Sequence, residues 1–234
     1  MSAARIYEVR RAARFYERGP AIVRALDGLD LDVDEGEFVT LEGPSGSGKT
    51  TVLQLLGALD RPSEGKVLFE GQDLGALPDR DLAELRLRTF GFVFQQFNLI
   101  PTLSAVDNVG SAIAPLGIPD ADARARSLAL LEEVGLADRA SHLPSQLSGG
   151  EQQRVAIARA LVKEPRVILA DESTGNLDST TGADIVALLS RLAAAHGATV
   201  IVATHDRALA DLAPRRVSLR DGRVVEGTIP LTAA

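Results

Sequence analysis

An α/β fold with a mostly parallel sheet is the prediction for this chain, and three features of the sequence carry it. The first is a glycine-rich loop at residues 43–50, which follows an apolar strand pattern at 38–42 and precedes a helical run at 51–56. The second is strand–helix–strand alternation beyond residue 166. Apolar runs at 167–170 and 199–203 flank a helical stretch at 181–195, the pattern of parallel strands joined by a crossover helix. The third is a change of period. Residues 97–163 repeat their apolar positions every three or four, so they read as a helical insertion in a chain whose first part is strand-rich.

The elements follow in order. Strand patterns lie at 6–9, 30–33 and 38–42, with turns expected at Gly19-Pro20, Gly28 and Glu35-Gly36. Another strand at 66–69 is reached through the turn at 61–65, and 90–94 is a short buried strand; everything up to residue 95 reads as mostly strand. Helical periods occupy 105–116 and 121–134, punctuated by Pro101, Pro115, Pro119 and Pro144, residues that cannot continue a helix. A helix-forming run spans 151–163, and a hairpin at 216–219 and 224–226 turns at Asp221-Gly222. The sequence shows no internal repeat, coiled-coil heptad or low-complexity tract.

Composition bounds the function. The 234 residues suit one large domain, or one domain carrying a substantial insertion, and 45% of them are hydrophobic, enough for a packed core. No apolar run nears the roughly eighteen residues of a membrane span, and the first residues lack the apolar centre of a signal peptide. Cysteine is absent, which excludes disulfides and thiolate chemistry. A soluble cytoplasmic protein is expected. The net charge of −7, from 32 acidic and 25 basic residues, speaks against an extended nucleic-acid surface.

Gly43, Pro44, Ser45, Gly46, Ser47, Gly48, Lys49 and Thr50 fit G-x-x-x-x-G-K-[ST] in its required strand–loop–helix setting. Such a loop wraps phosphates with backbone N–H groups. Lys49 supplies positive charge and Thr50 offers a hydroxyl to Mg²⁺; Thr51 opens the helix and joins the nucleotide-binding set. The apolar run 167–170 ends in Asp171 and Glu172. There Asp171 fits a Mg²⁺ partner, and Glu172 fits the base that orients or deprotonates an attacking water. Gln95 closes the strand at 90–94, where its amide can reach metal or water, with Gln96 as an immediate rival. His205 follows the strand at 199–203, placed to hydrogen-bond a γ-phosphate oxygen, whereas His142 and His196 read as surface residues. Tyr16 stands before the loop as a candidate to stack on adenine, with Phe15 as its competitor, and Tyr7 reads as packing.

Ser148, Gly149 and Gly150 precede the run at 151–163. A helix start with a small polar cap exposes free N–H groups and the positive end of a dipole, so it suits an anion. The chain thus holds a second phosphate cradle, about a hundred residues from the first.

Taken in this order, the motifs resemble the nucleotide-binding domains of ATP-binding-cassette (ABC) proteins over residues 6–227. The stretch Leu147-Ser148-Gly149-Gly150-Glu151-Gln152 is similar to the signature that separates these proteins from other phosphate-loop NTPases. The resemblance implies a phosphate-loop NTPase core with a mostly parallel sheet, an N-terminal antiparallel β-subdomain and an α-helical subdomain at about 97–163, together one domain spanning 1–234. It implies ATP and Mg²⁺ as cofactors, Gln95 in the Q-loop with a share in the metal, Glu172 as catalytic carboxylate, and His205 as switch histidine. Asn176-Leu177-Asp178 is implied as the D-loop. Ser173 departs from the family's usual proline, which removes a φ constraint and no catalytic group.

Residues 92–103 and 144–154 resemble the lipoprotein-release and macrolide-export branch, with the cell-division ATPase, a mechanical regulator that transports nothing, as a near neighbour. The short C-terminus argues against the sugar-importer branch. Two cradles in one chain imply a two-fold pair of copies, each lending its loop to one ATP and its Ser148 segment to the other. A separate membrane permease docked on the helical insertion is then expected, which places the chain on the inner face of the plasma membrane.

Overall fold

A computed structural model of the chain describes residues 4–172, 178–206, 210–211 and 213–225. They divide into two compact units, Met1–Leu85 with Thr199–Ala234, and Arg86–Ala198.

In the first unit, β1 (Arg5–Arg18) and β2 (Ala21–Asp34) form a long antiparallel hairpin about the expected Gly19-Pro20 turn. With β3 (Phe38–Glu42), β4 (Glu64–Phe69) and β5 (Gln72–Asp73) named in chain order, the hairpin belongs to a sheet ordered β2-β1-β4-β5. The predicted turn at Gly28 is corrected: the residue lies inside β2 with a φ of +77°. The strands stay paired by shifting register near Ala12, so a conformation open to glycine is absorbed as an irregularity of the ladder instead of reversing the chain. Tyr7 is fully buried, its ring centroid 5.2 Å from that of Phe69 and its hydroxyl donating to the Leu56 carbonyl at 2.9 Å. It is packing, as its strand position suggested.

The helix α1 (Lys49–Leu56) buries Val52, Leu53, Leu55 and Leu56. Here β3 lies between two parallel partners, β8 (Thr199–Thr204) and β9 (Arg215–Arg220), with Glu42 opposite Thr204 and Ser218. A short β10 (Arg223–Val224) closes antiparallel on β9.

The division between units falls inside α2 (Asp79–Thr89), a helix the strand-rich reading of the first ninety-five residues missed. Only Leu82 of it is buried, so no apolar stripe announces it. Its signal is charge, with Asp79 and Asp81 in the first turn and Arg86 and Arg88 in the last, which complements the helix dipole.

In the second unit, β6 (Phe90–Val93) pairs in parallel with β7 (Val167–Asp171), with Val93 opposite Ala170. Helices α3 (Ala105–Gly110), α4 (Asp120–Glu133), α5 (Gly149–Leu161) and α6 (Ser179–Ala195) complete the unit. The predicted helix at 105–116 ends early, at Gly110 with Ser111 as its cap, and a separate 3₁₀ turn follows at Ala114–Leu116 with Pro115 in its first positions, where a missing N–H is tolerated. Val155, Ala156, Ile157, Ala158, Ala160 and Leu161 of α5 are buried. Arg154, half-exposed, donates to the Val134 carbonyl at the end of α4 at 3.1 Å, which satisfies a terminal acceptor with a cation.

Candidate functional site

The first unit carries the glycine-rich loop. Because Glu42 and Thr204 are paired ends of parallel strands, Gly43 and His205 leave the sheet at the same edge, where ligands of such sheets sit. A Cβ at Gly43 would lie 2.2 Å from the Leu219 carbonyl oxygen and 2.7 Å from Ser47 Oγ, so the turn closes only without a side chain. Gly48 has a φ of +102°, and a Cβ there would meet the Ala25 carbonyl oxygen at 2.6 Å. Glycine alone meets both demands. Lys49 opens α1 and folds back over the loop. It is 5% exposed, and Nζ donates to the carbonyls of Gly43 at 2.8 Å and Pro44 at 3.1 Å. Ser47 is 3% exposed and its hydroxyl has no partner among the described residues. A loop holding an under-neutralised ammonium and an orphaned hydroxyl beside a helix start is built for an anion. Thr50 and Thr51 stand in the first turn of α1, Thr50 exposed and Thr51 half-buried.

A brace the sequence did not reveal holds this loop. The Gly222 N–H donates to the Ser47 carbonyl at 3.1 Å, while the Gly222 carbonyl accepts from Asp27 N at 3.0 Å. Arg223 locks the hairpin to β2 through Asp27 at 2.7 Å, which lowers the Asp27 carboxyl below its ordinary range. The Asp221-Gly222 turn is visible in the sequence, but its contact with a loop far away in the chain is tertiary. On β1, Tyr16 donates its hydroxyl to Asp60 at 2.9 Å, with the Arg14 guanidinium 4.6 Å from its ring centroid. Phe15 has Arg24 over its ring at 5.1 Å. Each ring thus carries a cation.

The second unit carries the carboxylates and the other cradle. Val167, Ile168, Leu169 and Ala170 are buried, and Asp171 ends the strand half-buried. Gln95 and Glu172 each follow the paired residues Val93 and Ala170 by two positions, so they emerge from the same end of the parallel pair. Glu172 has a φ of +43°, a costly conformation for a side-chain-bearing residue and one that collects at functional sites.

At the start of α5, Ser148 and Glu151 cap each other. Ser148 Oγ accepts from Glu151 N at 3.3 Å, and Glu151 Oε2 accepts from Ser148 N and Oγ at 2.8 Å each, a capping box. Ser148 is exposed, with Gly149 and Gly150 half-exposed, so the helix end is accessible. The helix starts at Gly149, not at 151. A Cβ on Gly150 would lie 3.0 Å from Thr181 Cγ2. Thr181 is in turn held by Asp178, the N-cap of α6, which accepts from its N–H at 3.0 Å and its hydroxyl at 2.6 Å. Those bonds lower the Asp178 carboxyl below its ordinary range. The structure therefore brings Gly150 against Thr181, the residue that Asp178 holds, a proximity that sequence spacing did not show. Ser173, Asn176 and Leu177 lie outside the described residues. His196 pairs with Glu133 at 3.0 Å.

No group of three or more His, Cys, Asp or Glu is placed to hold a metal among the described residues. Thr50, Gln95 and Asp171 offer hard oxygen donors, the kind that Mg²⁺ accepts one or two at a time alongside phosphate oxygens. Among the described residues no helix is long and apolar enough to cross a membrane.

A family model described as ABC transporter matches residues 26–175. An uncharacterized ABC transporter ATP-binding protein of Thermotoga maritima is 50% identical over 211 residues, covering 90% of each chain. The macrolide export ATP-binding/permease protein MacB of Brucella melitensis is 47% identical over 228 residues, covering 97% of this chain and 35% of that protein. The chain thus spans about a third of the length of that larger relative. A solved dimeric post-hydrolysis state of the ATP-binding cassette MJ0796, bound to ADP and Pi, matches with a TM-score of 0.89 at 42% identity, covering 98% of this chain and 100% of that one. Motifs, fold and relatives agree: the chain belongs to the ABC transporter family and is an ATP-binding domain of it.

Proposed function

We propose that this chain hydrolyses ATP between two copies of itself and so drives a membrane permease of export type. The observation that carries the reading is the exposed, capped start of α5, an anion cradle in the unit that does not contain the phosphate loop. The dimeric state of the MJ0796 cassette with ADP and Pi supports it.

Gly43 to Gly48 wrap the phosphates, and Lys49 exchanges two carbonyl partners for phosphate oxygens. Thr50, Asp171 and Gln95 would hold Mg²⁺, which would offset charge on the phosphates when bound. Glu172 orients the attacking water and accepts its proton, and His205 hydrogen-bonds the γ-phosphate. Ser148, Gly149 and Gly150 of one copy close on the ATP held by the other, with Asp178 beside them, and Tyr16 stacks on the adenine. Residues 97–163 form the inserted helical subdomain of a single 1–234 domain and receive the permease. The MacB relatives, named ATP-binding/permease proteins, support the export direction, and docking on a permease places the chain at the membrane.

Lys49→Ala and Glu172→Gln separate binding from chemistry. Lys49→Ala is expected to weaken ATP binding about a hundredfold, roughly 3 kcal/mol. Glu172→Gln is expected to bind ATP as the native chain does while losing at least about a hundredfold in kcat. Calorimetry and phosphate release measure both. Native ATP affinity in Lys49→Ala, or native turnover in Glu172→Gln, would refute the assignments.

A further inference from the structure

The segment after Gln95 is wound more tightly than a loop needs to be. The Phe97 N–H donates to the Phe94 carbonyl at 3.2 Å, and the Asn98 N–H donates to the Gln96 carbonyl. Phe97 and Asn98 have φ values of +55° and +49°, two successive left-handed residues, neither of them glycine. A turn of this kind is rare and strained, and it persists only where its surroundings hold it.

What holds it is Arg159 on α5. Its guanidinium donates to the Phe97 carbonyl at 2.7 Å and to the Asn98 carbonyl at 2.5 Å. Arg159 has no ion pair among the described residues, and burial lowers its pKa. A cation that served only to solubilise or to pair would face water or a carboxylate. This one instead spends both prongs of its fork on adjacent carbonyls. Asn98 and Arg159 also line an open cavity of about 250 Å³ with Phe92, Phe94 and Lys163. Farther along, Asn108 clamps the same segment by bonding Ile100 N at 2.7 Å and the Leu103 carbonyl at 2.9 Å.

We propose that Arg159 is a positioning residue for hydrolysis: it ties the strained turn at Phe97 and Asn98 to α5, and so fixes Gln95 in step with the Ser148-Gly149-Gly150 cradle at the other end of that helix. The inference rests on the reading of Gln95 as a metal- and water-directed amide. A lysine at 159 keeps the charge but has no planar fork to reach both carbonyls, and a glutamine loses the charge as well.

The test is ATP turnover of the full chain as a function of ATP and Mg²⁺, with ATP binding read by calorimetry, for Arg159→Lys, Arg159→Gln, Gln95→Ala and the Gln95→Ala/Arg159→Lys double variant. Arg159→Gln is expected to lower kcat about tenfold and to raise the half-saturating Mg²⁺ severalfold, while the ATP dissociation constant stays within about twofold. Arg159→Lys should recover part of the loss, and should add nothing further in the Gln95→Ala background, since both act through one group. Unchanged kcat and Mg²⁺ dependence in Arg159→Lys would overturn the inference, as would losses that simply multiply in the double variant. If Arg159→Gln does not fold, Arg159→Lys and the double variant decide alone. Native kcat in Gln95→Ala would instead sink the reading of Gln95, a result distinguishable from failure of Arg159.

Discussion

Lys49 is an ammonium almost wholly removed from solvent and bonded to two main-chain carbonyls, a poorer solvation than water or a phosphate provides. Replacing carbonyl partners by anionic oxygens is therefore favourable, and the loop is preorganised to allow it. Glu151 sits at the other cradle with the opposite sign. Hydrogen bonds from Ser148, with Arg139 nearby at 3.4 Å, hold its carboxyl below the usual range, so it is ionised at neutral pH. That anion supports the helix start but opposes a second anion arriving there. Glu151→Gln keeps an acceptor for the Ser148 N–H and removes the charge. It is expected to lower the ATP concentration needed for pairing of copies by about two- to fivefold, measured by light scattering across an ATP titration. No shift, or a shift upward, would contradict this.

Lys163 supplies a pH signature at the same scale. Burial lowers its pKa from 10.5 to about 8, and Nζ donates to the Arg86 carbonyl at 2.8 Å. Between about 8 and 10.5 the unfolded chain holds a proton that the folded chain has released. Stability therefore rises with pH across that window and carries the full cost of the buried charge below it. Lys163→Met should flatten the rise between pH 8 and 10 in urea unfolding; an unchanged slope would count against the burial.

At the scale of elements, the β9–β10 hairpin acts as the back wall of the phosphate loop. Gly222 has a φ of +74°, and a Cβ there would sit 2.8 Å from the Ala25 carbonyl oxygen and 2.9 Å from Leu26 Cα. Gly222→Ala is expected to destabilise the chain by about 2 kcal/mol and to weaken ATP binding together with it, seen in thermal unfolding with and without nucleotide. Full stability with full affinity would dismiss the brace. Sequence patterns announce an element when burial writes a period into it. The strand β7 is legible because all four residues Val167 to Ala170 are buried, and the glycine loop because phosphate chemistry demands glycine at fixed spacing. The hairpin β1–β2 is legible only in part, since its register shifts several times and Arg10, Arg11 and Arg14 interrupt the alternation. The helix α2 hides because one residue of it is buried. The Gly222 brace and the bond of Arg159 to Phe97 and Asn98 leave no local pattern at all, because each joins residues far apart in the chain.

For the whole molecule, the decisive fact is that the phosphate loop and the Ser148 cradle belong to different compact units. Each is anion-ready on its own terms, the first through Lys49 and Ser47, the second through a capped, accessible helix start. In the proposed function, two copies arranged about a two-fold axis would give both cradles to each ATP and make the nucleotide part of the interface. On that proposal, hydrolysis would remove the γ-phosphate contacts and loosen the pair, a movement that a docked permease could use. The most direct test is the mass in solution of Glu172→Gln with and without Mg²⁺-ATP, by sizing chromatography with light scattering. Glu172→Gln should be a monomer that becomes a dimer only with ATP, and that fails to do so when Ser148→Arg is added. A chain that stays monomeric with saturating ATP, or pairs equally well with Ser148→Arg in place, would contradict it.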